Sequence, residues 1–151
     1  MSTSSNQNEP DSKTRLKLWI KLLRFSRETE AILRESLRTE FESTLPRFDV
    51  LATLHQFGDG MKMSELSDHL LVSNGSATVV VDRLVKEGFV ERKAVPQDRR
   101  ALTVHLTKEG RKHFLQQAEA HEGWVDGLLG GISAKDADRM MKLIDAKLRN
   151  R

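Results

Sequence analysis

The sequence has 151 residues, no cysteine and a formal net charge of +3. A chain of this length is typical of one domain, and the absence of cysteine excludes disulfides, thiolate metal sites and thiol-based redox sensors. Charged residues make up 31% and aromatic residues 5% of the chain, a balance that favours a helical protein over a β-sandwich. No apolar run approaches the ~20 residues of a membrane helix, so we predict a soluble, cytoplasmic protein without a membrane partner.

The first part of the chain predicts a polar tail followed by long helical segments. Residues 1–11 are polar and lack hydrophobic periodicity, so we expect them to be disordered. Residues 12–42 contain no glycine or proline and repeat apolar side chains at helical spacing, which predicts one long helix or two with a bend. A second helix is predicted to begin near Pro46 and to end at Gly58.

The middle of the chain predicts a helix-turn-helix. Ser64 is the expected N-cap of its first helix, in which Leu66 and Leu71 fall on one face. A polar turn follows, and Ser73 is the expected N-cap of the second helix. Gly88 suits the left-handed position that ends this second helix.

A change of hydrophobic period after the second helix predicts a β-hairpin. Residues 89–93 and 102–106 are short strand-like runs, and residues 94–100 between them combine turn chemistry with two adjacent arginines. Residues 61–63 are expected to add a third strand. A helix-turn-helix followed by a basic hairpin is a winged helix, in which one helix enters the DNA major groove and the hairpin reaches phosphates or the minor groove.

Positive charge is concentrated in this part of the chain. Between Arg83 and Lys112 there are nine basic residues against four acidic ones, so the segment is +5 and the remainder of the chain is −2. Such a distribution suits a surface that faces phosphates.

The remaining residues predict two more helices. Thr107 is the expected N-cap of a helix that reaches about residue 129, and Gly130 and Gly131 interrupt it. Ser133 and Asp136 form a capping box for a last helix to about residue 149. The helices at both ends of the chain carry apolar stripes that must be buried against other helices. We therefore expect a homodimer, in which the first helix pairs with the last two and a second copy completes the packing.

Several motifs together resemble the MarR family of bacterial transcriptional regulators, named for multiple antibiotic resistance. They are residues 45–51, 81–84, 88–92, 98–100 and 106–110, with the Asp98-Arg99-Arg100 hairpin motif the most specific. The resemblance implies a mainly α fold with a small β-hairpin wing, a winged helix-turn-helix with N- and C-terminal dimerisation helices. Residues 12–151 then form one unit, with a DNA-binding lobe at 45–107 and a helical dimerisation lobe at 12–43 and 108–149.

The candidate contacts to double-stranded DNA lie on the second helix of the helix-turn-helix and on the wing. They are Ser73, Asn74, Ser76, Ala77, Thr78 and Arg83 on the helix, and Lys93, Gln97, Arg99 and Arg100 on the wing. Asn74 is the best candidate for reading adenine, and Ala77 suits a thymine methyl group. In the simpler interpretation, Ser73 builds the turn and Arg83 pairs with Glu87 on the helix surface.

The resemblance also implies how the wing is held and what the protein responds to. Asp82 is expected to pair with a wing arginine, most plausibly Arg100. Members of the family that respond to urate use a tryptophan, an aspartate and arginines, which makes Trp19, Asp49 and Arg83 or Arg92 a candidate ligand cluster. His55 is a further candidate ligand-binding residue. Core packing of Trp19 and solvation of Asp49 are the simpler alternatives.

The predicted function is that of a ligand-responsive repressor, released from a palindromic operator by a small aromatic acid or its conjugate. A zinc-responsive regulator of the same fold and a winged-helix protein-interaction module are the alternatives. Glu109 and His113 have the one-turn spacing of helical metal ligands, but the sequence has no cysteine to join them, so we predict no metal site and no cofactor. The sequence has no glycine-rich phosphate loop and no nucleophile elbow, so we predict that it is not an enzyme.

Overall fold

The computed structural model describes residues 9–150, except for the side chain of Arg99. The chain divides into two compact units, one ending at Leu45 and one beginning at Pro46. Most of the tail predicted at residues 1–11 lies outside the described residues, and Asp11 already belongs to the first helix.

Most of the described part of the first unit is α1 (Asp11–Phe41), which runs for 31 residues without interruption. The two-helix alternative for this segment is therefore wrong. The helix ends where Glu42 adopts a left-handed backbone with φ of 51° and donates its N–H to the carbonyl of Arg38. The N–H of Ser43 donates to the carbonyl of Leu37, so two carbonyls of the last turn find partners.

The second unit carries the helix-turn-helix, the wing and two long helices. Its elements, with α2 beginning at the boundary, are α2 (Leu45–Gln56), β1 (Met61–Lys62), α3 (Met63–Leu70), α4 (Asn74–Lys86), β2 (Val90–Val95), β3 (Asp98–Leu106), α5 (Lys108–Leu128) and α6 (Ala134–Arg149). The three strands form an antiparallel sheet in the order β1-β3-β2. The predicted fold class and the predicted third strand are confirmed.

Three helix starts are capped as the sequence predicts. Ser73 Oγ accepts from the N–H of Ser76 at 3.1 Å, and Ser133 Oγ accepts from the N–H of Asp136 at 3.1 Å. Thr107 Oγ1 accepts from the N–H of Gly110 at 3.0 Å and also donates to the carbonyl of Gly88 at 2.6 Å. The start of α5 is therefore fastened to the turn that ends α4.

Gly110 shows how closely α5 approaches this turn. A Cβ atom built at Gly110 would lie 1.9 Å from the carbonyl oxygen of Phe89. Only glycine fits there, so the sequence permits a backbone contact that fixes α5 beside the beginning of β2.

Two expectations for α3 are wrong. The helix begins at Met63 and its N-cap is Lys62, because the chain passes directly from β1 into the helix; Ser64 lies in the first turn. Leu71 does not share the buried face of Leu66. It is the left-handed residue that ends α3, with φ of 56° and a side chain that is 91% exposed.

The core of the second unit is built from the inward faces of these elements. Its fully or nearly buried apolar side chains are Phe48, Val50, Leu51, Leu54, Met61, Leu66, Ala77, Val81, Leu84, Val90, Val104 and Phe114. They come from α2 to α5 and from all three strands, so the recognition helix and the wing share one core. None of the helices in residues 9–150 is both long and apolar enough to span a membrane.

Candidate nucleic-acid interface

Helix α4 has one buried face and one exposed face. Val81 and Leu84 are fully buried, and the opposite face exposes Ser76, Val79 and Arg83. A helix that is buried along one face and exposed along the other can enter the DNA major groove as a recognition helix.

The structure overturns one predicted DNA contact and identifies another. Ala77 is only 2% exposed, because it lies one turn before Val81 on the buried face, so it does not meet a thymine methyl. Val79 is 58% exposed on the outer face and is the apolar side chain available for such a contact. The 3.6-residue period places Ala77 on the same face as Val81, but small residues near a helix start do not reveal from the sequence which face is buried.

The polar side chains at the start of α4 build the turn. Ser73 Oγ caps the helix and also donates to Ser76 Oγ at 2.9 Å. Asn74 Oδ1 accepts from the hydroxyl of Ser67 on α3, and Thr78 Oγ1 donates to the carbonyl of Asn74 at 2.7 Å. Ser73, Asn74 and Ser76 remain exposed and Thr78 is half-buried, so their DNA contacts stay predictions for groups that already have a local role.

Asp82 joins α4 to the wing, but through a different partner from the one predicted. Its Oδ1 accepts from the guanidinium of Arg92 in β2, and the predicted pair with Arg100 is wrong. Arg92 lies opposite Val104, near the base of the hairpin, whereas Arg100 follows the turn at its tip. The base of the wing is therefore held to the outer face of α4 by this ion pair, and Arg100 at the tip does not take part in it.

The tip of the wing is ordered by Asp98. Its Oδ1 accepts from the backbone N–H of Arg100 at 3.0 Å, which agrees with the expected role of Asp98 as a turn former. The side chain of Arg100 is exposed and has no ion-pair partner among the described residues, and Gln97 is exposed beside it. Arg99 lies in β3, and its predicted contact falls on a side chain outside the described part of the chain.

Two further basic side chains of the predicted interface have different surroundings. Lys93 Nζ lies 3.1 Å from Glu91 Oε1, an exposed pair that contributes little to stability. Arg83 is exposed and does not pair with Glu87, and no other described carboxylate forms an ion pair with it. Arg83 therefore presents its positive charge to solvent on the same helix face as Val79.

Glu87 is held instead by Arg47 at the start of α2. Arg47 Nη1 donates to Glu87 Oε1 at 3.0 Å, and a second bond joins Nη2 to Oε2. The hydrogen bonds and the charge of Arg47 lower the pKa of the Glu87 carboxyl. This pair positions the end of α4, and no local signal reveals it because its members are 40 residues apart.

The predicted ligand residues Trp19, Asp49 and His55 lie on two helices. Trp19 is exposed on α1 in the first unit, while Asp49 is exposed and His55 half-buried on α2 in the second unit. The His55 ring lies 4.9 Å from that of Phe114, so packing already explains its position. Arg92 is engaged with Asp82. Within residues 9–150, no group of three or more histidines, aspartates and glutamates is arranged to hold a metal ion.

Comparison with known proteins identifies this arrangement. The MarR family model matches residues 43–102, which cover α2, the helix-turn-helix and most of the wing. The HTH-type transcriptional regulator YkoM of Bacillus subtilis is 28% identical over 120 residues, which cover 80% of this chain and 76% of that relative. Residues 43–102 are therefore a MarR-type domain. Further Bacillus regulators are 32% identical over 93 residues, and the chain spans 60% of their length.

Solved MarR-type structures share the whole fold. BldR from Sulfolobus solfataricus superposes with a TM-score of 0.84 at 20% identity, over 95% of this chain and 100% of that one. A mutant of MarR from E. coli, crystallised in complex with operator DNA, superposes with a TM-score of 0.75 at 24% identity, over 93% of this chain and 99% of that one. The relatives and solved structures to which this chain is similar are described as transcriptional regulators.

Proposed function

We propose that this MarR-family regulator binds double-stranded DNA as a homodimer, with α4 in the major groove and the wing against the neighbouring backbone or minor groove. One observation carries the proposal. The outer face of α4 exposes Val79 and the unpaired Arg83, while the tip of the adjoining wing exposes the unpaired Arg100. Val79 suits a thymine methyl, and the two arginines suit phosphates or a narrow minor groove.

The proposed dimer explains the apolar surface at the end of the chain. A groove of about 850 Å³ lies between α5 and α6, with apolar side chains that include Leu129, Ile132 and Ile144 along its walls. Helix α6 has no buried residue among Ala134–Arg149, and its Leu143 is 71% exposed. A second copy would cover these side chains, and a two-fold dimer would then present two recognition helices to half-sites about one DNA turn apart.

The regulator is proposed to act as a repressor that a small aromatic acid or its conjugate releases from a palindromic operator. The resemblance of its motifs to those of the family supports this part of the proposal. The mechanism is a population shift, in which the ligand favours a spacing of the two recognition helices that no longer matches successive major grooves.

Fluorescence anisotropy with a labelled duplex from the DNA upstream of the protein's own gene tests the proposal. We expect affinity to fall steeply as salt rises, since binding releases counterions from the phosphates. Aromatic carboxylates and their coenzyme A thioesters, added one at a time, are expected to include a compound that dissociates the complex.

Absence of binding at low salt would refute the DNA-binding proposal and favour the protein-interaction alternative. Binding that none of these compounds reverses would leave DNA recognition intact and overturn the proposed class of effector.

A further inference from the structure

A second basic region lies at the base of the wing, away from the exposed face of α4. A cavity of about 550 Å³ is bounded there by the end of α2, the strands β2 and β3, and the start of α5. Residues of four elements line it, among them Lys93, Lys108, Arg111, His55 and His105. Its volume falls within the ~300–1,000 Å³ of typical small-molecule sites.

The charged side chains that line this cavity are all positive. Three permanent cations and two imidazoles line it, and none of its described lining residues is a carboxylate. Lys93 forms an exposed ion pair with Glu91. Lys108 and Arg111 are exposed, and neither has an ion-pair partner among the described residues.

This clustering is produced by the fold and not by a local charge run. His55 comes from α2, Lys93 from β2, His105 from β3, and Arg111 from α5, and packing brings them around one concave space. Like charges that surround a cavity repel one another, and an anion inside it relieves that repulsion. The cavity also adjoins the first turn of α5, where the helix dipole adds a positive potential.

We propose that the cavity binds a small phosphate-bearing molecule. The planar guanidinium of Arg111 matches two phosphate oxygens, while Lys93 and Lys108 supply compact point charges. The imidazole of His55 offers a further donor, while His105 Nε2 already forms a hydrogen bond with Thr103 Oγ1 at 2.7 Å. The space exceeds that of a lone phosphate, so the ligand carries an organic body or a second phosphate group. This site is independent of the DNA contacts of α4 and of the wing tip.

Occupation of the cavity has a structural consequence for the wing. Lys93 follows Arg92, which pairs with Asp82 on α4, and it faces the same cavity as Arg111 of α5. A bound phosphate therefore links β2 to α5 from the side of the sheet opposite to the α4 contact, since neighbouring side chains of a strand point to opposite faces. The base of the wing is then held from both sides.

Gly58 offers a direct way to block the site. It lines the cavity, and a Cβ atom built there meets no described atom within 4 Å. Gly58→Glu therefore adds a carboxylate at the wall of the basic cavity, from a position where a Cβ atom has room. The double variant Lys108→Gln/Arg111→Gln removes two cations, and both side chains are exposed, so folding should be preserved. Lys112→Gln removes one cation from the same helix outside the lining and serves as the matched control.

Isothermal titration calorimetry at constant ionic strength provides the test, with pyrophosphate, ribose 5-phosphate, inorganic phosphate and benzoate as probes. We expect pyrophosphate or ribose 5-phosphate to bind with one site per chain. The double variant should weaken this binding at least tenfold and Gly58→Glu should abolish it, whereas Lys112→Gln should change it less than twofold. The difference between pyrophosphate and ribose 5-phosphate separates a polyphosphate from a phosphorylated organic ligand.

Three results would overturn the inference: no phosphate binds, benzoate binds as tightly as the phosphates, or Lys112→Gln weakens binding as much as the double variant does. The titrations contain no DNA, so their outcome does not depend on the proposed DNA-binding function. If small phosphates fail to bind but the double variant weakens binding to a DNA duplex, these cations contact DNA and the small-molecule site is refuted.

Discussion

At the residue scale, the basic side chains of the wing differ in their partners. Arg92 is committed to Asp82, and Lys93 lies beside Glu91. Arg100 is exposed at the tip without an ion-pair partner among the described residues, while its backbone N–H is fixed by Asp98. The binding of a phosphate to Arg100 therefore costs little free energy, because the backbone is already ordered and the guanidinium has no internal ion pair to break.

Arg100→Ala is therefore expected to weaken DNA binding at many sequences and to lower the slope of log K against log salt by about one unit. Anisotropy titrations at four salt concentrations measure both quantities. Lys147→Ala, a loss of the same charge on α6, should leave the slope unchanged. If Arg100→Ala behaves like this control, Arg100 does not contact phosphate.

His121 gives the stability of the protein a dependence on pH. Its ring stacks on Phe48 with centroids 4.4 Å apart, and burial lowers the pKa of the imidazole below its ordinary value of 6.5. Below pH 6.5 the unfolded chain binds a proton that the folded chain resists, so the free energy of unfolding falls with acidification. Burial lowers the pKa of His113 in the same direction.

His121→Phe should keep the stacked packing and remove this titration. In urea unfolding between pH 8 and pH 5, the free energy of unfolding is expected to fall less for the variant than for the wild type. His113 accounts for part of the fall that remains in the variant. The comparison at pH 8, where both imidazoles are neutral, isolates the packing effect. An unchanged pH dependence would show that His121 titrates normally in the folded protein.

At the element scale, the turn between α3 and α4 carries a conformational cost. Leu71 occupies the left-handed region, and its N–H and that of Val72 donate to the carbonyls of Asp68 and Ser67. A left-handed backbone costs an L-residue roughly 1–2 kcal/mol relative to glycine. The 91% exposed side chain of Leu71 gains almost no burial in return.

Leu71→Gly is expected to stabilise the fold by about 0.5–1 kcal/mol, after allowance for the greater freedom of glycine in the unfolded chain. Val72→Gly is the matched control, since Val72 has no positive φ and should lose about the same amount. Urea unfolding of both variants provides the comparison. Destabilisation by Leu71→Gly would mean that the leucine side chain makes contacts in solution that offset its backbone cost.

The range of an interaction along the chain explains which parts of the fold and the site the sequence predicted. The caps at Ser73, Thr107 and Ser133 form within three residues, so local sequence determines them. The partner of Asp82 depends on how the hairpin meets α4, and a sequence with several wing arginines leaves that choice open. The cavity at the base of the wing gathers residues from four elements, so no motif predicts it.

At the scale of the whole molecule, the exposed apolar surface of α6 supports the proposed dimer. No residue of α6 (Ala134–Arg149) is buried, and its exposed apolar side chains include Met140, Leu143, Ile144 and Leu148. Exposure of a contiguous apolar groove to water is unfavourable by roughly 25 cal/mol per Å². In the proposed dimer, a second copy would remove this cost and link the stability of the fold to protein concentration.

Ile144→Asp is expected to disrupt the proposed dimer, because it places an unpaired carboxylate on the wall of the α5–α6 groove. Sedimentation equilibrium should give a dimer for the wild type and a weakening of the dimer by at least tenfold for the variant. DNA affinity should fall with it, since each monomer retains one recognition helix and reads only one half-site. Lys142→Gln, which changes an exposed side chain of α6 outside the groove lining, should affect neither measurement. A variant that remains dimeric at micromolar concentration would exclude this face of α6 from the subunit interface.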